Sequence, residues 1–138
     1  MAEALEPHVP TLDVELVRAA CLLHDMARNR PKHALVAQNL LSNLGLGRLG
    51  AIVGAHMVLP PEQMETFTVT EEQLLYLADK IVIDDKVAGI EARAQRVLAA
   101  SGQDPAAEEG ARTRMQVAKI IKARVETILG RSLDEVLT

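Results

Sequence analysis

Aromatic side chains are almost absent from this chain. Tyr76 and Phe67 are its only two aromatic residues, and it has no tryptophan. A core without aromatic rings must be built from Leu, Val, Ile, Ala and Met, a mixture that favours packed helices. Apolar residues make up 49% of the 138 positions and charged residues 25%, which excludes an intrinsically disordered chain. The sequence therefore predicts an all-α fold, a compact helical bundle formed by one domain over residues 1–138.

Three further absences restrict the functional class. A single cysteine, Cys21, excludes an intrachain disulfide and favours a reducing compartment, so we expect a cytoplasmic protein. No stretch approaches the roughly 18 apolar residues of a membrane span, and the first residues do not resemble a secretory signal, so we expect no membrane partner. The formal net charge of −4 and the scattered Lys and Arg residues argue against nucleic acid as a partner.

Apolar spacing and capping residues predict a series of helices. Residues 2–6 are helix formers that stop at Pro7, as the last turn of a longer helix would. Thr11, Thr70 and Asp104 are predicted N-caps, and residues 62–69 a loop. The predicted helices cover about residues 12–28, 32–44, 48–57, 71–82, 87–100 and 105–129.

Ionisable residues interrupt two of the apolar segments. His24 and Asp25 follow Leu22 and Leu23, and Asp79 follows another apolar stretch. Such groups on an apolar face cost several kcal/mol of desolvation unless something compensates, and a divalent cation shared by imidazole and carboxylate does so. The alternative is a hydrogen-bonded core histidine without a metal.

Two more histidines strengthen the metal interpretation, because His33 opens the next predicted helix and His56 ends the one after it. Mixed nitrogen and oxygen ligands suit a divalent ion such as Mn, Fe, Ni, Mg or Zn.

Four segments resemble the HD-domain superfamily of metal-dependent phosphohydrolases. They are Leu22-Leu23-His24-Asp25-Met26-Ala27-Arg28, Pro31-Lys32-His33-Ala34, Ile52-Val53-Gly54-Ala55-His56-Met57 and Leu74-Leu75-Tyr76-Leu77-Ala78-Asp79-Lys80-Ile81-Val82. The nearest likeness is to HD domains associated with nucleotidyltransferases of the molybdenum-cofactor kind. The resemblance implies an HD-type helical domain with a truncated first helix. It also implies hydrolysis of a phosphoester, in a nucleotide or another phosphorylated small molecule, by a metal-activated water.

The resemblance assigns roles to individual residues. It implies that His24, Asp25 and Asp79 bind the metal. The family's first histidine ligand comes from a preceding helix, and the only upstream candidate is His8, which departs from the family pattern because it lies between Pro7 and Pro10 and close to His24.

Further residues are expected around the metal. His33, His56 and Arg28 are candidates for a second metal or a phosphate contact, and ordinary residues near helix ends are the alternative. The expected catalytic residues are Asp25, which would accept a proton or bridge a second ion, and Lys80 and His56, which would stabilise developing charge.

Two other outcomes remain open from the sequence. The missing upstream ligand favours a catalytically impaired HD module that binds nucleotide or regulates a partner nucleotidyltransferase. A homo-oligomer is expected if a truncated first helix leaves apolar surface uncovered near Leu5, Val9 and Leu12.

Overall fold

The computed structural model describes all 138 residues, which form two compact units, residues 1–76 and 77–138. Nine helices and one two-stranded hairpin make up the chain, which confirms the all-α prediction. The HD type and the single domain stay predictions. No helix combines the length and the apolar character that crossing a lipid bilayer requires. The elements are α1 (Ala2–Leu5), α2 (Val14–Leu23), α3 (His33–Asn43), α4 (Gly47–Gly54), α5 (Pro61–Met64), α6 (Glu71–Ile81), β1 (Val82–Ile83), β2 (Lys86–Val87), α7 (Ile90–Ala100), α8 (Pro105–Leu129) and α9 (Leu133–Leu137).

Helix α2 is shorter than the sequence predicts at both ends. Asp13, and not Thr11, is its N-cap, since the Leu16 N–H donates to the Asp13 carboxylate at 2.9 Å. The helix ends at Leu23, because the N–H groups of Met26 and Arg28 donate to carbonyls three residues back, both at 3.0 Å. These bonds form tight successive turns in place of a continuing α-helix. The His24-Asp25 pair therefore lies in turns that follow the helix.

The apolar side chains in and after the one-turn helix α1 are buried within the protein. Leu5 has 0% of its surface exposed, Val9 4% and Leu12 7%. The N–H of Val9 donates to Leu5 at 2.9 Å and that of Leu12 to Val9 at 3.0 Å, so the three side chains follow successive turns. The uncovered apolar surface from which a homo-oligomer was predicted is therefore not present at these residues, and the oligomer itself stays a prediction.

The core of the first unit is formed mainly where α3 packs against α4. Gly50 permits this close approach, because a Cβ atom there would lie 2.8 Å from the Gln38 carbonyl oxygen. Leu75 of α6 completes the same apolar cluster. The buried members are Ala20, Ala27, Ala37, Leu41, Leu49, Ile52, Val53 and Leu75. This packing holds the start of α3, where His33 lies, and the end of α4, which His56 follows.

The segment before α6 differs in part from the prediction. Part of the predicted loop forms α5, with Pro61 at its first position, where the missing N–H costs nothing. The predicted cap of α6 is present, since the Gln73 N–H donates to the Thr70 hydroxyl at 3.3 Å. Local capping chemistry thus predicted the start of α6 correctly.

The second unit contains a hairpin and a pair of packed helices. Strands β1 and β2 pair antiparallel, with Val82 opposite Val87, and Asp84 in the turn has a φ of 55°. Helices α7 and α8 pack against each other. Asp104 caps α8 as predicted, and Gly130, with a φ of 66°, ends it. Ala118, Ile121 and Val125 face inward along α8.

Candidate metal centre

Three residues from three separate segments of the first unit converge. One potential ligand atom each of Asp25, His33 and His56 lies within 4.8 Å of the other two. Asp25 comes from the turns after α2, His33 is the first residue of α3, and His56 follows the end of α4. Two neutral nitrogen donors and one anionic oxygen are a ligand set that divalent transition metals accept. These residues could hold a metal ion.

His56 is the buried member of this group, with 1% of its surface exposed. Its Nδ1 lies 2.7 Å from the Val53 carbonyl oxygen. A carbonyl only accepts hydrogen bonds, so Nδ1 must carry the hydrogen, and in the neutral ring the lone pair is then on Nε2. A backbone carbonyl that fixes one ring nitrogen in this way is the usual arrangement behind a metal-binding histidine.

The two imidazoles present the same nitrogen to each other. His33 Nε2 lies 3.2 Å from His56 Nε2, with the ring centroids 5.1 Å apart. Either a hydrogen on His33 Nε2 is shared with the His56 lone pair, or both nitrogens bind one cation. Two nitrogens at about 2.0–2.1 Å from a tetrahedral ion would be about 3.3 Å apart. The observed separation of the two nitrogens is therefore close to the separation that a shared ion requires.

His24 lies directly beside this group. Its ring meets the His56 ring edge to face, with centroids 5.1 Å apart. Its Nδ1 is 2.7 Å from the Cys21 carbonyl oxygen, which fixes the hydrogen on Nδ1 as in His56. His24 Nε2 is then the acceptor nitrogen, and it lies 3.6 Å from an Asp25 carboxylate oxygen.

Arg28 and His8 are more peripheral. The Arg28 guanidinium, whose side chain is 75% exposed, pairs with Asp25 at 3.3 Å. The Arg28 guanidinium can position the Asp25 carboxylate or donate hydrogen bonds to an anion that binds beside Asp25. His8 is exposed in the turn after α1 and does not belong to the group of three converging ligands.

The second unit carries the other predicted site residues, Asp79 and Lys80, near the end of α6. The Lys80 Nζ donates to the Asp79 carboxylate at 2.6 Å, and their side chains are only 11% and 15% exposed. Burial lowers the pKa of Lys80, the neighbouring Asp79 raises it, and the positive charges of Arg114 and Arg93 lower it further. The metal-binding role that the resemblance implies for Asp79 stays a prediction.

Arg93 and Arg114 act on the Lys80 ammonium, and the sequence marks neither as a site residue. On the same helix as Arg93, the Arg96 guanidinium donates to the Asp84 carboxylate at 2.9 Å. No local pattern marks Arg93 or Arg114, because both lie at ordinary positions on helices and their effect on Lys80 depends on the packing.

Comparison with known proteins adds no relative. No family model, no curated protein and no solved structure matches the chain.

Proposed function

We propose that this protein is a metal-dependent phosphohydrolase, in which Asp25 and His56 act at a divalent ion. The convergence of Asp25, His33 and His56 carries this proposal. The motif resemblance supports the reaction class, and a phosphorylated small molecule or nucleotide is the proposed substrate. The proposed place of action is the cytoplasm, where divalent ions and such substrates are abundant.

The residues of the site have separable tasks. Nε2 of His33 and Nε2 of His56 would bind the ion, and the Val53 carbonyl holds the His56 ring in place through Nδ1. The Asp25 carboxylate would supply negative charge to the ion and accept a proton. Arg28 lies beside Asp25 and offers donors to a phosphoryl oxygen.

A bound divalent ion would supply a Lewis acid for the phosphoester and lower the pKa of a coordinated water. The identity of the ion is open among Mn, Fe, Ni, Mg and Zn. The lone pair of His24 Nε2, 3.6 Å from an Asp25 carboxylate oxygen, is a further candidate metal ligand. Lys80 keeps the proposed charge-stabilising role that the motif resemblance implies, and in the structure its ammonium pairs with Asp79 at 2.6 Å.

The first experiment measures metal content and turnover together. Protein purified without chelator is analysed for bound metals and assayed on a generic phosphomonoester and on nucleotides with added Mn²⁺ or Ni²⁺. Asp25→Asn keeps the shape of the side chain but removes its charge, so we expect loss of the metal and a fall in hydrolysis of at least about 100-fold. His8→Ala is the matched control, because His8 is exposed and outside the group. Equal activity in Asp25→Asn and in the wild-type protein would refute the proposal.

The position of His8 outside the ligand group favours a second candidate function. A histidine that does not join the ligand group leaves the family's first ligand unsupplied. The competing proposal is a catalytically impaired module that binds nucleotide or regulates a partner nucleotidyltransferase. Metal and nucleotide binding without hydrolysis under any of the added ions would favour this module. Asp79→Asn then tests the role that the resemblance implies for Asp79, with metal content as its readout.

A further inference from the structure

Acidic residues are absent from a long segment of the first unit. Between Asp25 and Glu62 the chain has no Asp or Glu, and four of its 15 Lys and Arg residues lie there. The rest of the chain holds the other 11 Lys and Arg residues against all 19 Asp and Glu residues. His33 and His56 both belong to the acid-free segment. Most of the candidate metal centre is therefore supplied by a basic segment of an acidic protein.

Three of these four cations lie in the short connection between two residues of the metal centre. At no more than about 3.6 Å per residue, the middle of this connection lies within about 14 Å of the nearer end. Successive turns shorten the path further, because the N–H groups of Arg28 and Arg30 donate to carbonyls three residues back, at 3.0 and 2.8 Å. The ends, Asp25 and His33, have ligand atoms within 4.8 Å of each other. The connection therefore keeps its cations Arg28, Arg30 and Lys32 close to the candidate metal centre.

Two of the three cations are not neutralised within the protein. Arg30 and Lys32 are exposed, and neither forms an ion pair with a carboxylate. The other two cations of the segment are paired, Arg28 with Asp25 and Arg48 with two carboxylates of α6. An exposed cation is ordinarily solvated by water, so exposure alone indicates nothing. Position gives these two charges their significance, because an anion bound at the metal centre would lie within their field.

A chain of condensed phosphates fits this arrangement better than a single phosphoryl group does. The metal ion and Arg28 already offer partners to a single group. Each further phosphoryl group of a di- or triphosphate adds negative charge and extends away from the metal, toward Arg30 and Lys32. A guanidinium matches phosphate oxygens with forked donors, and an ammonium attracts them as a point charge. An extended nucleic-acid backbone fits less well, because it would reach beyond these cations onto a protein of net charge −4.

We propose that Arg30 and Lys32 bind the second phosphoryl group of a ligand whose first phosphoryl group lies at the metal centre. The protein then selects condensed phosphates over monophosphates. This inference rests on the proposed function, since the first phosphoryl group is the one that the proposed hydrolase acts on. The ligand class is a nucleoside di- or triphosphate or an inorganic polyphosphate, which share the same phosphate chain.

The test is binding of tripolyphosphate, ATP and orthophosphate to the full chain after metal removal, by titration calorimetry at constant ionic strength. We expect wild-type protein to bind tripolyphosphate at least about tenfold more tightly than orthophosphate. Arg30→Gln combined with Lys32→Gln removes two charges and should weaken tripolyphosphate binding at least about tenfold. Lys86→Gln combined with Arg131→Gln is the matched control. It removes the same two charges from exposed residues of the second unit and should change the affinity less than about twofold.

The three ligands give separate outcomes. Equal losses in the two double variants, or equal affinities of wild-type protein for tripolyphosphate and orthophosphate, would overturn the proposal. So would tighter binding of a single-stranded oligonucleotide than of tripolyphosphate, because the ligand would then be an extended backbone. ATP binding tighter than tripolyphosphate binding supports the proposal with a nucleotide as the source of the phosphate chain. The reverse order supports it with an inorganic polyphosphate as the source.

Thermal unfolding distinguishes a ligand site from a structural role. Arg30 and Lys32 are exposed, so their double variant should unfold without ligand at the wild-type temperature. It should lose the rise in unfolding temperature that tripolyphosphate gives the wild-type and control proteins. A lower ligand-free unfolding temperature than that of the control would contradict the proposal.

The binding readout also separates this inference from the proposed hydrolase, because binding requires no turnover. Tripolyphosphate binding through Arg30 and Lys32 without any hydrolysis would refute the hydrolase and support this site. Hydrolysis of a phosphomonoester without tripolyphosphate binding would support the hydrolase and overturn this site.

Discussion

The two units of this protein differ in how their ionisable groups are arranged. In the first unit, one potential ligand atom each of Asp25, His33 and His56 converge from three separate segments, and a divalent cation would bind all three. In the second unit, the Lys80 ammonium donates to the Asp79 carboxylate at 2.6 Å, so two neighbouring residues of opposite charge pair with each other. Converging ligand atoms of the kind found in the first unit indicate a cation, whereas an ion pair between neighbours is satisfied by the protein itself.

Elsewhere in the first unit, buried charge is fully paired. The side chains of Glu71 and Glu72 are 11% and 8% exposed, and both pair with Arg48. The Asp13 N–H also donates to Glu71 at 2.9 Å. These contacts satisfy the carboxylates within the protein, so they indicate a structural role for Glu71, Glu72 and Arg48.

The largest expected effect tests the convergence of ligands in the first unit. His56→Ala and His33→Ala each remove one of three nitrogen or oxygen ligands, and we expect metal affinity to fall at least about 100-fold in both. His8→Ala should leave the metal affinity unchanged, because His8 is exposed and outside the group. Competition with a chromogenic chelator measures the affinity of all three variants. A loss in His8→Ala as large as the loss in His56→Ala would contradict the comparison.

A smaller effect tests whether packing of α3 on α4 holds the metal group together. A methyl group at Gly50 would meet the Gln38 carbonyl at 2.8 Å and the Ser42 hydroxyl at 3.0 Å. Gly50→Ala should therefore lower the free energy of unfolding by about 1–3 kcal/mol and weaken metal binding with it.

Gly47, in the same helix, is the matched control, because a methyl group there would have no heavy atom within 4 Å. Gly47→Ala should raise the free energy of unfolding by about 0.5 kcal/mol through reduced freedom of the unfolded chain. Urea unfolding measures both variants. Similar stabilities would show that the α3–α4 contact is looser than the structure indicates.

The smallest effect concerns paired charge. Arg48→Met leaves Glu71 and Glu72 without their guanidinium, which should cost about 1–2 kcal/mol of unfolding free energy, since the Arg48 side chain is itself 51% exposed. Arg112→Met breaks only an exposed pair with Glu108 and should cost about 0.3–0.5 kcal/mol. Urea unfolding of both variants at low and high salt checks the difference. A larger loss in Arg112→Met would show that burial does not govern these pairs.

Local signals predicted much of the secondary structure. Thr70 and Asp104 cap α6 and α8 as expected, and Gly130 ends α8. These helix ends are predictable because a cap depends only on backbone groups a few residues away. The end of α2 was missed for the opposite reason. Its apolar period continues to Ala27, but tight turns end the helix at Leu23 and reorient His24 and Asp25.

The candidate site was predictable in its members but not in its grouping. Sequence reasoning selected Asp25, His33 and His56 as metal-related residues, but it placed His24, Asp25 and Asp79 in the primary ligand set. Residues from separate helices meet only through packing, which here depends on the close approach of Gly50 to α3.

The amino-acid sequence by itself determined the helical class, most helix starts and the residue types that can bind a metal, because these follow from side-chain propensity, capping and ligand chemistry over a few neighbouring positions. Only the tertiary structure decided that His33 and His56 face each other at 3.2 Å and that Arg93 Nε is buried without an acceptor. Both outcomes depend on contacts between residues distant in the chain. Burial and pairing of charge are properties of those contacts, and no local pattern encodes them.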